Sequence, residues 1–170
     1  MITKLAQIRP LLDVSRRQPA TAISHLRELA ASESWQTREV AATALVQISK
    51  RHPEVVLGVA MRWALDQDPN VRRAASEGLR GLVQRDPEGV RPILEQLRAD
   101  PEPYVRKSVA NVLRNASRAQ PAFVLRLCTV WAHSDSPHTR WISREGLRKL
   151  KTLRPEETAV ILNLSRARPN

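Results

Sequence analysis

The chain repeats itself with a step of 34 residues. Arg38, Arg72, Arg106 and Arg140 share one column, Leu45, Leu79, Leu113 and Leu147 a second, and Pro53, Pro87, Pro121 and Pro155 a third. Recurrence of one residue type at a fixed step in several columns is the mark of a tandem array. In such an array each repeat is one supersecondary unit, unable to bury its apolar face except against its neighbours. Lys4, Leu11 and Pro19 fall on the same columns and read as a worn first copy, as a terminal cap should be.

Inside a repeat the apolar positions follow helical spacing. Val71, Ala74, Ala75, Gly78, Leu79 and Leu82 recur at three and four residues, and Val56, Val59, Ala60 and Trp63 do so after Pro53. The column prolines suit the first turn of a first helix, where a missing N–H costs nothing. Pro69 and Pro101 then open the second helices, behind Asp68 and Asp100 as N-caps. The expected fold is all-α: a right-handed α-solenoid of about five helix pairs, its second helices lining the inner surface. One domain over 1–170 is expected, with a degenerate capping repeat over 1–33, four regular repeats over 34–165 and a basic tail over 166–170.

The unit D-P-x-x-V-R-x-x-A-x-x-x-L resembles the HEAT repeat. That resemblance implies a structural role for Arg38, Arg72, Arg106 and Arg140, which in such arrays join with the aspartate before the second helix to link neighbouring units through hydrogen bonds.

Charge narrows the choice of partner. The net charge is +11, from 28 Lys+Arg against 17 Asp+Glu, which points to a polyanion, nucleic acid first. No apolar stretch approaches the ~20 residues that span a bilayer, and the N-terminus lacks an h-region and cleavage site, so a soluble, cytoplasmic protein is expected; a monomer is expected as well. Cys128, the one cysteine, sits in the apolar run FVLRLCTVW and reads as a small buried hydrophobe. His25, His52, His133 and His138 have no partners at metal-ligand spacing and read as solvated turn residues; no metal is expected. Nor is any cofactor, since five scattered glycines form no phosphate-cradling loop.

The second helices carry the functional signal. Relative to the repeat arginine, one column reads Glu39, Arg73, Lys107, Trp141; the next Thr43, Glu77, Asn111, Glu145; the third Val46, Arg80, Arg114, Arg148. These positions share one helical flank. Arg73, Arg80, Lys107, Arg114 and Arg148 make a basic track across consecutive repeats, the footprint of a groove for a phosphate backbone. Trp35 and Trp141 stand near the starts of second helices, placed to stack on bases or to pack against the next repeat. Trp63 and Trp131 fall in the core of first helices.

The strings SWQTREVAATAL, DPNVRRAASEGLR, YVRKSVANVLRNASRAQP and TRWISREGLRKL are similar to a narrower group. This is the DNA alkylation repair proteins built from HEAT-like repeats, the AlkC and AlkD type of bacterial alkylpurine DNA glycosylases and their relatives. The resemblance runs from about Ser34 to Leu150. It implies double-stranded DNA, alkylated or distorted, held on the concave face, and excision of N3- or N7-alkylated purines by acidic residues and tryptophans there. Carried over, Glu39 and Glu77 match acidic positions and become the catalytic candidates. The departures are Asn115, an amide where related sequences carry an aspartate, Arg85 where an aromatic is expected, and Glu145–Gly146 in place of His-Ala. The scaffold and the basic groove thus carry over better than the excision chemistry. An interaction scaffold whose concave face takes an acidic protein partner is the alternative.

Overall fold

The structure, a computed structural model, describes residues 4–166, and every described element is helical. In order these are α1 (Lys4–Arg17), α2 (Pro19–Ala30), α3 (Trp35–Ser49), α4 (Pro53–Trp63), α5 (Pro69–Gly78), α6 (Pro87–Leu97), α7 (Pro103–Ala116), α8 (Pro121–Ala132), α9 (Pro137–Gly146), α10 (Leu150–Leu153) and α11 (Pro155–Arg166). Short 3-10 turns, Leu82–Gln84 and Leu147–Lys149, follow α5 and α9. The tail beyond Arg166 and the side chains of Lys4, Leu11 and Pro19 lie outside the described residues. The chain falls into two compact units, Met1–Leu82 and Val83–Asn170.

The proline column marks where first helices begin: α2, α4, α6, α8 and α11 open on Pro19, Pro53, Pro87, Pro121 and Pro155. At that position the ring sets φ for the helix and the absent N–H is one that no intrahelical carbonyl could have used. Second helices open on a matching column of Trp35, Pro69, Pro103 and Pro137. Ser34, Asp68 and Ser136 precede three of them, their side chains accepting from the N–H groups of Thr37, Asn70 and Thr139. The expected start at Asp100–Pro101 is two residues early. Helix α7 begins on Pro103, one full repeat after Pro69, with Glu102 at the N-cap position. Asp100 instead accepts the Glu102 N–H at 2.9 Å, tightening the turn ahead of the helix.

The repeat arginines brace those turns. In each case one terminal guanidinium nitrogen donates to the two carbonyls five and six residues back: Arg38 to Ser32 and Glu33, Arg72 to Asp66 and Gln67, Arg106 to Asp100 and Pro101, Arg140 to Ser134 and Asp135. A cation here satisfies carbonyls that the interhelix turn leaves without backbone donors. Arg140 is only 2% exposed. The column is structural, as the resemblance to the HEAT repeat implies, but these bonds close the turn inside each repeat and go to backbone carbonyls, where links between neighbouring units through the aspartate were expected.

In the first unit Leu26, Leu45, Ile48, Val56, Trp63, Val71 and Leu79 are buried where α3 packs against α2 and α5, and α4 against α5. In the second, Val90, Leu94, Val109, Leu113, Phe123, Trp131, Ile142 and Leu147 fill the space among α6 to α9. All four column leucines are buried. Trp63 and Trp131 are core, the latter donating its indole N–H to Glu95 at 3.1 Å. Cys128 is buried, and desolvation pushes its thiol up to about 12 despite a hydrogen bond with Ser143. His25 lies within α2 and His138 within the first turn of α9, rather than in interhelix turns.

Alternate second helices are interrupted. Helices α5 and α9 end at Gly78 and Gly146, whereas α3 and α7 run on. Glycine is the weakest helix former after proline, and here it also admits a neighbour: a Cβ on Gly146 would come within 2.6 Å of Leu113 on α7. The break is followed in each unit by a leucine that enters the core and an arginine that does not, Leu79–Arg80 and Leu147–Arg148.

Candidate nucleic-acid interface

The flank of the second helices that carries the non-repeating charges behaves differently in the two units. In the first, Glu39 on α3 and Arg73 and Glu77 on α5 meet Arg80 from the turn after Gly78. Arg73 lies 2.8 Å from the Glu77 carboxylate, its Nε donating at 2.9 Å, and 3.9 Å from Glu39. Arg80 donates to the Glu77 carbonyl at 3.2 Å and lies 3.9 Å from its carboxylate. Glu77 is thus the hub, 8% exposed and flanked by two guanidinium groups at i−4 and i+3. Two cations and two carboxylates largely cancel there, and the field this face offers an anion is weak.

In the second unit the balance tips. Arg114 on α7 donates to the Glu145 carbonyl of α9 at 3.3 Å, lies 4.0 Å from the Glu145 carboxylate and reaches Asn111 at 3.5 Å. Arg148 is 3.3 Å from the same carboxylate. Burial draws the Arg114 pKa down, Glu145 opposes that, and Arg148 adds to it. A guanidinium keeps its charge through such a shift. Beside this pair opens a cleft of about 930 Å³, lined by Arg114, Arg118, Arg148 and Lys149 together with Gln84, Asn115, Thr152 and Leu153. It holds four cations and no carboxylate. Arg118 and Lys149 are exposed and make no ion pair among the described residues.

Neither Arg118 nor Lys149 belongs to the basic track read from the repeat columns, although Arg118 follows Arg114 by four residues, in the turn after α7, and Lys149 adjoins Arg148. Asn115, where related sequences imply an aspartate, turns its amide to the Asn111 carbonyl at 2.9 Å and leaves the cleft wall uncharged at that point. Lys107 stands outside the cleft lining, exposed on the first turn of α7 with its ammonium 5.3 Å above the exposed Tyr104 ring. Trp141 is half-buried on α9, and it too lies outside the cleft lining. Trp35 occupies the opening position of α3 that proline fills in α5, α7 and α9, and is 60% exposed. Arg85 is an exposed residue of the turn before α6. Among the described residues no group of three or more His, Cys, Asp or Glu side chains is placed to hold a metal, and no helix is long and apolar enough to cross a membrane.

The family description for HEAT repeats matches residues 23–114. The chain belongs to the HEAT-repeat family. Its architecture is the α-solenoid of helix pairs that the 34-residue step implies. The structure is similar to that of the Pseudomonas fluorescens alkylpurine DNA glycosylase AlkC bound to DNA containing an abasic site analog, with a TM-score of 0.78 and 29% sequence identity. The match covers 94% of this chain and 45% of that one, so the chain spans less than half the length of its relative. It bears out the resemblance to the HEAT-like DNA alkylation repair proteins. No curated protein matches the sequence.

Proposed function

We propose that the protein binds double-stranded DNA, holding the phosphate backbone in the basic cleft of the second unit. The observation that carries this reading is the cleft's composition: Arg114, Arg118, Arg148 and Lys149 face one space with no acidic side chain among its lining residues. Arg114 stands on the last turn of α7 and Arg118 in the turn that follows it, so two guanidinium groups offer forked donors to the same cleft, the chemistry that suits phosphates. The Thr152 hydroxyl can add a neutral donor to the cleft, and Trp141 of the same unit and Trp35 of the first unit would each offer a stacking face apart from it. The similarity to a glycosylase solved with DNA supports the choice of DNA over other polyanions.

Excision of N3- or N7-alkylated purines is the finer part of the reading and would fall to Glu39 and Glu77. A carboxylate stabilises a developing cationic sugar through its uncompensated charge, and Glu77 sits against Arg73 at 2.8 Å. Catalysis would therefore require DNA to draw Arg73 away first. Binding has no such requirement, and it is the function the geometry supports best.

The test is a fluorescence-anisotropy titration of a duplex oligonucleotide over a range of salt. The double substitution Arg118→Gln with Lys149→Gln should weaken binding and reduce the slope of log K against log salt by about two units, roughly 0.9 for each phosphate that is no longer neutralised. An unchanged slope, or an acidic peptide that displaces the duplex at physiological salt, would refute the assignment. Release of N7-methylguanine or N3-methyladenine from alkylated DNA decides the catalytic part.

A further inference from the structure

We propose that Glu77 restrains DNA binding by holding Arg73 and Arg80, and that these two arginines form a second, latent phosphate site which opens only when the carboxylate's grip is weakened. The inference rests on the DNA-binding reading above and deepens it. It also gives Glu77 a task other than catalysis.

Two features of the first unit and a contrast with the second carry it. The two arginines are reachable, their side chains 28% and 32% exposed, while the Glu77 side chain between them is 11% exposed. A phosphate can thus approach the guanidinium groups, but little water screens the carboxylate that already occupies them. The Glu77 interactions are local to α5 and the turn that follows it, at i−4 and i+3, and that turn exists because Gly78 ends the helix immediately after Glu77. Arg80 therefore sits beyond the break, where a side chain can swing outward without unwinding α5. The second unit offers a contrast. Glu145 stands in the Glu77 column and Arg148 in the Arg80 column, but Trp141 replaces Arg73, Lys107 replaces Glu39, Arg114 reaches Glu145 from α7, and Arg118 and Lys149 are added. The carboxylate is overbalanced by cations there and balanced in the first unit.

A phosphate that bound Arg73 and Arg80 would have to displace Glu77 and leave a poorly hydrated carboxylate beside it. That cost is absent when the residue is neutral. Glu77→Gln keeps the shape and a hydrogen-bond acceptor for Arg73 while removing the charge, so it isolates the electrostatic role from packing.

The experiment measures duplex binding of the full chain by anisotropy as a function of salt for the wild type, Glu77→Gln, and Glu77→Gln combined with Arg73→Gln and Arg80→Gln. The expected result is roughly three- to tenfold tighter binding by Glu77→Gln at low salt, with a slope steeper by about one to two units and disappearance of the whole gain in the triple variant. Binding by Glu77→Gln that equals or falls below the wild type overturns the restraint. So does a gain that persists in the triple variant. A wild type that binds DNA and ceases to do so on substitution of Arg118 and Lys149, together with an inert Glu77→Gln, would sink this inference alone. Absence of DNA binding in every variant would remove the underlying reading with it. Far-UV circular dichroism melts of each variant show whether it is folded, and Glu77→Asp, which keeps the charge, should bind as the wild type does.

Discussion

Gly146→Ala is the sharpest test of how α7 and α9 pack. The backbone at Gly146 is ordinary right-handed helix, and no glycine among the described residues has positive φ, so alanine is acceptable to the chain locally. On helix propensity alone the change would stabilise by about 0.5–1 kcal/mol. The added methyl, however, would stand 2.6 Å from Cδ1 and 3.0 Å from Cβ of Leu113, and Leu113 is fully buried with nowhere to retreat. Overpacking of this kind costs about 1–3 kcal/mol, which outweighs the propensity gain by up to about 2.5 kcal/mol. The equivalent change at Gly78 meets Leu45 only at 3.4 Å, an ordinary van der Waals distance, and at Gly81 it meets nothing within 4 Å. Both should be neutral or gain up to about 1 kcal/mol. Urea unfolding followed by far-UV circular dichroism measures all three. If Gly146→Ala is as stable as the wild type, or if the three alanines act alike, the close approach of α7 and α9 is not as described.

Other consequences are equally open to measurement. Arg140→Ala removes a buried cation from the Ser134 and Asp135 carbonyls; leaving them unsatisfied should cost about 2–4 kcal/mol, seen as a lower urea midpoint, and Arg140→Lys should recover only part of it because an ammonium is more strongly hydrated than a guanidinium and costs more to bury. With its pKa raised from 9.0 to about 12, Cys128 should stay protonated and unreactive toward a thiol reagent at pH 8 until the protein unfolds. The same shift favours the folded state fully below pH 9.0, and that advantage should fade as pH rises from there toward about 12.

Legibility in the sequence follows how local the physics is. The proline column can be read because N1 is a position where proline sacrifices nothing, and the leucine column because burial repeats with the helix pair. The start of α7 is easily misplaced because Asp100–Pro101 and Glu102–Pro103 offer two similar openings in a row; the 34-residue step from Pro69 to Pro103 resolves them. The arginine track is visible in the columns, but its pairing is not. Arg73 with Glu77 is an i,i+4 relation that helical spacing allows, whereas Arg114 meets Glu145 across 31 residues, where α7 packs on α9. Lys149 shares no repeat column with another cation, and Arg118 shares its column only with Arg16 and Lys50 of earlier repeats, so it is the fold that puts the two into one cleft.

Lysine footprinting tests the central claim most directly. Amines are acetylated with and without a saturating DNA duplex and quantified by mass spectrometry, comparing Lys149, which lines the cleft, with Lys50 and Lys151, which are exposed and do not. Strong protection of Lys149 with little change at Lys50 and Lys151 is the expected result. Equal labelling of Lys149 with and without bound DNA would contradict it.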